Sequence, residues 1–264
     1  MVELIAIDLD GTLLTSDKAI TPRTLRAMRA VVGQGVKVII ASARPPRSVA
    51  KVYNHLRLDT CVICYNGALI YDPPAKEVLY HQPIERALAH EVIEAARKKH
   101  PDIFVSVEVL DHWFTDRISR EYQTEVAKQF TPDRMGPIET WLTQDVTKIM
   151  FLGPPTHIQA IRRMLTSTYG MNLAMTQSET ELLQVMSAEV SKGAALKFVC
   201  DRYGVPLQRT IAIGDQVNDI DMLKLAGVGI AMGLAPESVK RAADYITSGN
   251  DHDGVAEAIE RFVL

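Results

Sequence analysis

The sequence predicts an α/β fold: a parallel sheet flanked by helices, with an α+β domain inserted into it. Three observations predict it. Short apolar runs alternate with helical patterns over residues 1–82. The same rhythm returns from Lys192 to the end of the chain. Between them, over about 83–186, hairpin-type strands mix with helices instead. Residues 1–82 and 187–264 are therefore expected to form one discontinuous core, and 83–186 the insert. A length of 264 residues suits about two domains.

Leu4 to Leu9 is apolar except for Asp8 and reads as the first strand. Thr21-Pro22 opens a helix, with Thr as its cap and Pro in its first position. Leu25, Met28, Val31 and Val32 give that helix an apolar stripe, and Gly33 and Gly35 end it. Val36 to Ala41 is a second apolar run, Pro45-Pro46 starts another helix, and Cys61 to Tyr65 is a third run. This β-α-β-α-β order implies a parallel sheet.

In the insert, Ile84 to Lys99 is a helix with Leu88, Val92, Ile93 and Ala96 on one face. Phe104 to Val109 alternates as a half-exposed strand, and Asp111-His112 turns into Trp113-Phe114-Thr115. Trp113 and Phe114 read as packing residues of that hairpin. The charged run from Asp116 to Glu125 reads as a solvated helical face. Further strands are expected at 146–152, 171–176 and 182–187, and a helix at 155–168. The core then resumes with helices at 192–203, 218–226, 236–243 and 254–262, and strands at 209–213, 228–232 and 244–247.

Composition narrows the function. With 47% hydrophobic and 23% charged residues, the chain resembles an ordinary globular protein, which excludes disorder and a disulfide scaffold. Its 29 basic and 32 acidic residues leave no cationic footprint for nucleic acid or a membrane surface. No stretch reaches the roughly 18 apolar residues of a membrane helix. The start, Met1-Val2-Glu3-Leu4-Ile5, lacks the features of a secretory signal, and three cysteines suit a reducing cytosol. A cytoplasmic protein is expected. Cys61-x-x-Cys64 lies in a strand, where residues three apart face opposite ways, so it reads as buried thiols. The seven histidines form no i, i+4 pair on one helix.

The chemistry lies where the core strands end. Those ends read Asp8-Leu9-Asp10-Gly11-Thr12, Ala41-Ser42-Ala43-Arg44, Tyr65-Asn66-Gly67 and Gly214-Asp215-Gln216-Val217-Asn218-Asp219. In a parallel sheet such ends share one edge, where open α/β folds bind ligands. Several carboxylates in one pocket need positive charge to stay ionised. An oxygen-only donor set favours Mg²⁺, which takes a few carboxylates plus a phosphate. Asp8 and Asp10 stand two apart and share a face, so one can attack while the other handles protons. Plainer readings remain: Asp8 and Asp10 as turn and cap residues, Ser42 as a helix cap, Lys192 as a surface lysine and Asn66-Gly67 as a tight turn.

Taken in order, Asp8-Leu9-Asp10-Gly11-Thr12, Ser42, Ser191-Lys192-Gly193 and Gly214-Asp215-x-x-Asn218-Asp219 resemble the haloacid dehalogenase superfamily. Asp221-Met222-Leu223 and Gly229-Ile230-Ala231-Met232-Gly233 are similar to its Cof-like branch, which carries a large cap between the second and third motifs. The resemblance implies a Rossmann-like core with a cap, and an Mg²⁺-dependent phosphohydrolase of small phosphorylated metabolites such as sugar phosphates. It implies Asp8 as nucleophile and metal ligand, forming an aspartyl-phosphate. Asp10 would be the proton donor and acceptor, its backbone carbonyl also on the metal. Asp215 would be the other ligand, supported from behind by Asp219. Ser42 and Lys192 would hold phosphoryl oxygens, Lys192 would pair with Asp8, and Arg44, Asn66 and Asn218 would add polar contacts. Nothing points to a nucleic acid or membrane partner, and the chain is expected to be a monomer or homodimer.

Two departures stand out. Ser42-Ala43-Arg44 replaces the family's usual Thr-Gly-Arg, and Leu234 replaces the Asn of Met-Gly-Asn. Two other activities stay open: phosphoryl transfer to a second hydroxyl on the same core, and a phosphorylated receiver without turnover, which the insert disfavours.

Overall fold

The structure is a computed structural model of the chain and describes residues 1–118, 121, 122, 124, 126–140 and 142–264. In chain order the first elements are β1 (Leu4–Ile7), α1 (Pro22–Gly33), β2 (Lys37–Ile40), α2 (Pro46–Leu56), β3 (Val62–Cys64), β4 (Leu69–Asp72) and β5 (Glu77–His81). Next come α3 (Arg86–Lys99), β6 (Phe104–Val109), β7 (His112–Thr115), β8 (Arg134–Met135), β9 (Lys148–Leu152), α4 (Pro155–Tyr169), β10 (Leu173–Glu179) and β11 (Leu182–Ser187). The last are α5 (Lys192–Tyr203), β12 (Thr210–Gly214), α6 (Ile220–Leu225), β13 (Val228–Ala231), α7 (Glu237–Lys240), β14 (Tyr245–Ile246) and α8 (Gly254–Phe262).

Two compact units result, Met1–Tyr80 with Ser191–Leu264, and His81–Val190. The changes of unit fall a few residues from 82/83 and 186/187 because the flanking residues bond into the second unit. His81 Nε2 meets Thr147 Oγ1 at 2.9 Å, and Gln82 Nε2 donates to Glu189 Oε2 at 2.8 Å.

The first unit holds a five-stranded parallel sheet in the order β14-β13-β12-β1-β2. All four β1 residues are fully buried, as expected of a central strand covered on both faces. Leu4, Ala6, Ile39 and Ala212 pack with Leu196 and Val199 of α5 and Met222 and Leu223 of α6. Each of the leucine, isoleucine, valine and methionine side chains contributes roughly 1.5–3 kcal/mol by leaving water. The Thr21 side chain accepts from the Thr24 N–H at 3.2 Å, which caps α1 at the Thr-Pro start.

One sequence expectation is corrected here. The run at 61–65 is not a full member of the parallel sheet. β3 heads a separate sheet in the order β3-β4-β5 and meets the strand-end residue Ala41 through one parallel bridge to Ile63. The reason is the turn that follows: Tyr65, Asn66 and Gly67 all have left-handed φ (50°, 56° and 105°), which sends the chain back antiparallel as β4.

The second unit is a six-stranded sheet in the order β10-β11-β9-β6-β7-β8, antiparallel except between β7 and β8. On one face Val105, Val107, Ile149, Phe151, Leu183 and Val185 pack with residues of α3 and α4. On the other, Trp113 joins Met150, Leu152 and Leu182 in a small cluster, its indole N–H donating to Ser106 Oγ at 2.5 Å. Of the run read as a helical face, Asp116, Arg117, Ile118, Glu121, Tyr122 and Thr124 are not helical, while Ser119, Arg120, Gln123 and Glu125 lie outside the described residues. Asp116 is drawn inward instead, accepting from Arg97 Nη2 at 2.9 Å.

Candidate active site

Parallel pairing aligns the strand tips. The Asp8 N–H donates to Ile213 O at 3.0 Å, and the Ala41 N–H to Ile7 O at 2.9 Å. Asp8 after β1, Asp215 after β12 and Ser42 after β2 therefore emerge side by side. Lys192 arrives from a helix start. Ser191 caps α5 by accepting from the Ala194 N–H at 3.0 Å, which places Lys192 in the first turn with its side chain buried.

The floor of the site is a buried charge cluster. Lys192 Nζ donates to Asp8 Oδ1 and to Asp219 Oδ1, each at 2.6 Å. Asp219 is fully buried, and its Oδ2 accepts from the N–H groups of Asp215 (3.0 Å) and Gln216 (2.9 Å). Both its oxygens are thus engaged by the protein. Asp215 accepts from Thr12 Oγ1 at 2.9 Å and from Gln216 Nε2 at 2.8 Å. Gly11 (φ 84°) lies against it so closely that a Cβ there would overlap the Asp215 carboxylate.

Burial drives the electrostatics. It pushes the Asp8 carboxyl up to about 8; Lys192 pulls down, while Asp219 and Asp215 push up again. Asp215 is also raised, chiefly by burial, against the hydrogen bonds from Gln216 and Thr12. Lys192 loses to burial but is raised more by Asp8 and Asp219, so it stays cationic. One ammonium faces three buried carboxylates.

That imbalance is the test of a metal's fit. Carboxylate oxygens of Asp8, Asp215 and Asp219 lie within 4.8 Å of one another. The donors are hard oxygens, and charge is lacking on the positive side. The residues fit a small divalent cation.

The walls differ from the expectation in detail. Arg44, Asn66 and Asn218 were assigned to phosphate contacts. Without a phosphate present, Arg44 binds Asp10, Nε to Oδ2 at 2.7 Å and Nη2 to Oδ1 at 2.5 Å. Asn218 Nδ2 donates to Asn66 Oδ1 at 2.8 Å, and the Asn66 N–H to Ser42 O at 3.0 Å. Ser42 Oγ accepts from the Arg44 N–H at 3.2 Å. Asp10 also receives Lys18 Nζ at 2.7 Å. Burial raises the Asp10 carboxyl, but the hydrogen bonds and charges of Arg44 and Lys18 outweigh it and hold the group below its ordinary value. Ala43 is not left-handed; Gly11, Lys18, Tyr65, Asn66 and Gly67 are. Leu234 is 77% exposed.

Sequence reasoning overlooked Gln216 and Lys18. Gln216 directly follows Asp215, a signal that was available; no spacing rule marks Lys18.

A model of the haloacid dehalogenase-like hydrolases matches residues 5–259. The chain belongs to that family. Among similar proteins, 5-amino-6-(5-phospho-D-ribitylamino)uracil phosphatase YcsE of Bacillus subtilis (strain 168) is 31% identical over 265 residues, covering 100% of this chain and 96% of that one. The YitU phosphatase of the same name and organism is 29% identical over 266 residues, with 98% and 97% covered. A haloacid dehalogenase-like hydrolase from Bacteroides thetaiotaomicron superposes with a TM-score of 0.90 at 32% identity, with 99% of each chain covered. This haloacid dehalogenase-like hydrolase is a phosphatase acting on phosphorylated substrates.

Proposed function

We propose that this hydrolase is an Mg²⁺-dependent phosphomonoesterase of small phosphorylated metabolites, sugar phosphates among them, working through an aspartyl-phosphate at Asp8. The observation that carries the reading is the excess of buried carboxylate around Lys192. A carboxylate oxygen of Asp8 attacks phosphorus, and the bond from phosphorus to the leaving oxygen breaks. Lys192 orients Asp8 and meets the phosphoryl oxygens, with the Ser42 hydroxyl as a further donor. Asp10 gives a proton to the leaving alkoxide, then takes one from the water that releases phosphate. For the first step Asp10 must carry a proton, so its pairs with Arg44 and Lys18 yield as the leaving group arrives.

Mg²⁺, held by Asp8, Asp215 and the Asp10 backbone carbonyl, would neutralise charge on the transferring phosphoryl. Asp219 supports this set through Lys192 and the Asp215 N–H. Asn66, Asn218 and Arg44 shape the wall. Three free, buried cysteines fit a reducing compartment, and we place the enzyme in the cytoplasm.

The test is phosphate release from a panel of phosphomonoesters, with Mg²⁺ and with chelator. Release is expected only with the metal, and Asp215→Ala should raise the half-activating Mg²⁺ concentration by about 10–100-fold. Metal-independent release, or an unchanged titration in Asp215→Ala, refutes the metal assignment.

A further inference from the structure

Lys18 sits in a loop shaped to hold it. Its φ of 58° is left-handed, a conformation that disfavours any residue with a Cβ. The turn is closed by the Lys18 N–H to Thr15 O at 2.9 Å and the Thr15 N–H to Ala19 O at 2.8 Å. The loop is pinned to a distant part of the chain. The N–H and hydroxyl of Ser16 donate to the two Asp251 oxygens at 2.8 and 2.7 Å, and Asn250 Nδ2 donates to Leu14 O at 2.9 Å. Strain kept in place by surrounding bonds points to a functional position.

The side chain it presents is a second cation on Asp10. Arg44 takes two of the acceptor sites of the Asp10 carboxylate, one on each oxygen, and Lys18 donates to Oδ1 as well. Lys18 is 54% exposed, and an exposed ion pair adds little stability. Two cations therefore share one carboxylate beside the position where a leaving group would lie.

We propose that Lys18 is a specificity-determining residue that receives an acidic group, a carboxylate or a second phosphate, on the leaving side of the substrate. The inference rests on the phosphatase reading above, in which Asp10 meets the ester oxygen at hydrogen-bond length. Lys18 Nζ is 2.7 Å from Asp10 Oδ1, so it lies within about 6 Å of that oxygen. An acid on the carbon next to the ester-bearing carbon falls in this range. Once Asp10 turns to the ester oxygen, such an acid takes over the ammonium in a charge-assisted hydrogen bond.

The test compares kcat/KM for 2-phosphoglycolate and ethyl phosphate, which share a two-carbon leaving group with and without the acid. p-Nitrophenyl phosphate with Mg²⁺ reports whether catalysis exists at all. The wild type is expected to favour phosphoglycolate by about tenfold or more. Lys18→Asn, which accepts left-handed backbone, should remove most of that preference, and Lys18→Arg should keep it. No preference in the wild type, or an equal preference in Lys18→Asn, overturns the proposal while leaving the phosphatase reading intact. Because the wild-type ratio needs no variant, a failure of Lys18→Asn to fold still leaves a decisive measurement. Failure of the wild type on p-nitrophenyl phosphate overturns both.

Discussion

Among the described residues, both units bury charge, but they balance it differently. In the second unit, Glu108 and Lys148 are 1% and 5% exposed and stand opposite each other in the β6–β9 register, one acid to one base. In the first, Asp8, Asp215 and Asp219 are buried around Lys192, three acids to one base. Burying an ion is costly unless a partner neutralises it, so a matched pair can serve packing and register alone. A three-to-one excess cannot. That excess leaves negative charge to be met from beyond the cluster's own base, by a proton held on Asp8 or by a further cation. The sheets agree with this contrast. The parallel one ends in polar tips, whereas the antiparallel one is apolar toward its helices and carries an aromatic cluster on its other face.

The contrast can be broken most directly at Asp8. Asp8→Asn removes the carboxylate proposed as nucleophile and is expected to lower turnover of an aryl phosphate by about 10⁴-fold or more. Unchanged circular dichroism would show that the fold persists, and a wild-type-like rate would end the nucleophile assignment.

The second unit should respond in the opposite way. Phe151 is fully buried between β6 and β11, and Phe151→Ala is expected to cost about 3–5 kcal/mol of that unit's stability. Hydrogen exchange should localise the loss to residues 81–190. Equal loosening of β1 and β12 would show that the units do not hold their stability separately.

A third test concerns pH. Without metal, Asp8 is pushed from its ordinary 3.8 to about 8, so the folded state holds a proton that the unfolded state has released. The stability this contributes is fully present below about pH 4 and is lost as pH rises through about 8. Urea unfolding in chelator should therefore show stability declining over that window, with a flatter profile in Asp8→Asn. No difference between the two profiles would mean that Asp8 is not strained by its neighbours.

The sequence made the strand tips legible because apolar runs ending in Asp or Ser are local patterns. Asp8, Asp215 and Asp219 follow from the strand ends, whereas Lys192 enters only through the family resemblance. The β4–β5 hairpin was not legible: Glu77 to His81 has no buried residue and does not alternate, and the Pro73-Pro74 turn hides the pairing. The departure of β3 from the main sheet depends on left-handed backbone at Tyr65, a non-glycine residue that no pattern flags. The pairing of Arg44 with Asp10 was not legible, because the reach of a long side chain is a three-dimensional property. Lys18 escaped for the same reason, since its loop is fixed by Asp251, 235 positions beyond Ser16.

The discontinuity of the first unit has a consequence for synthesis. β1 pairs on one side with β2, which follows closely, and on the other with β12, where Ile5 lies opposite Ile211. A growing chain on the ribosome thus carries a fully hydrophobic strand with one flank open until more than two hundred residues have been made. During that interval the insert, contiguous in sequence, can already fold. Chaperone protection of the nascent amino-terminal segment would matter most in that interval, before Lys192 and Asp215 have been translated.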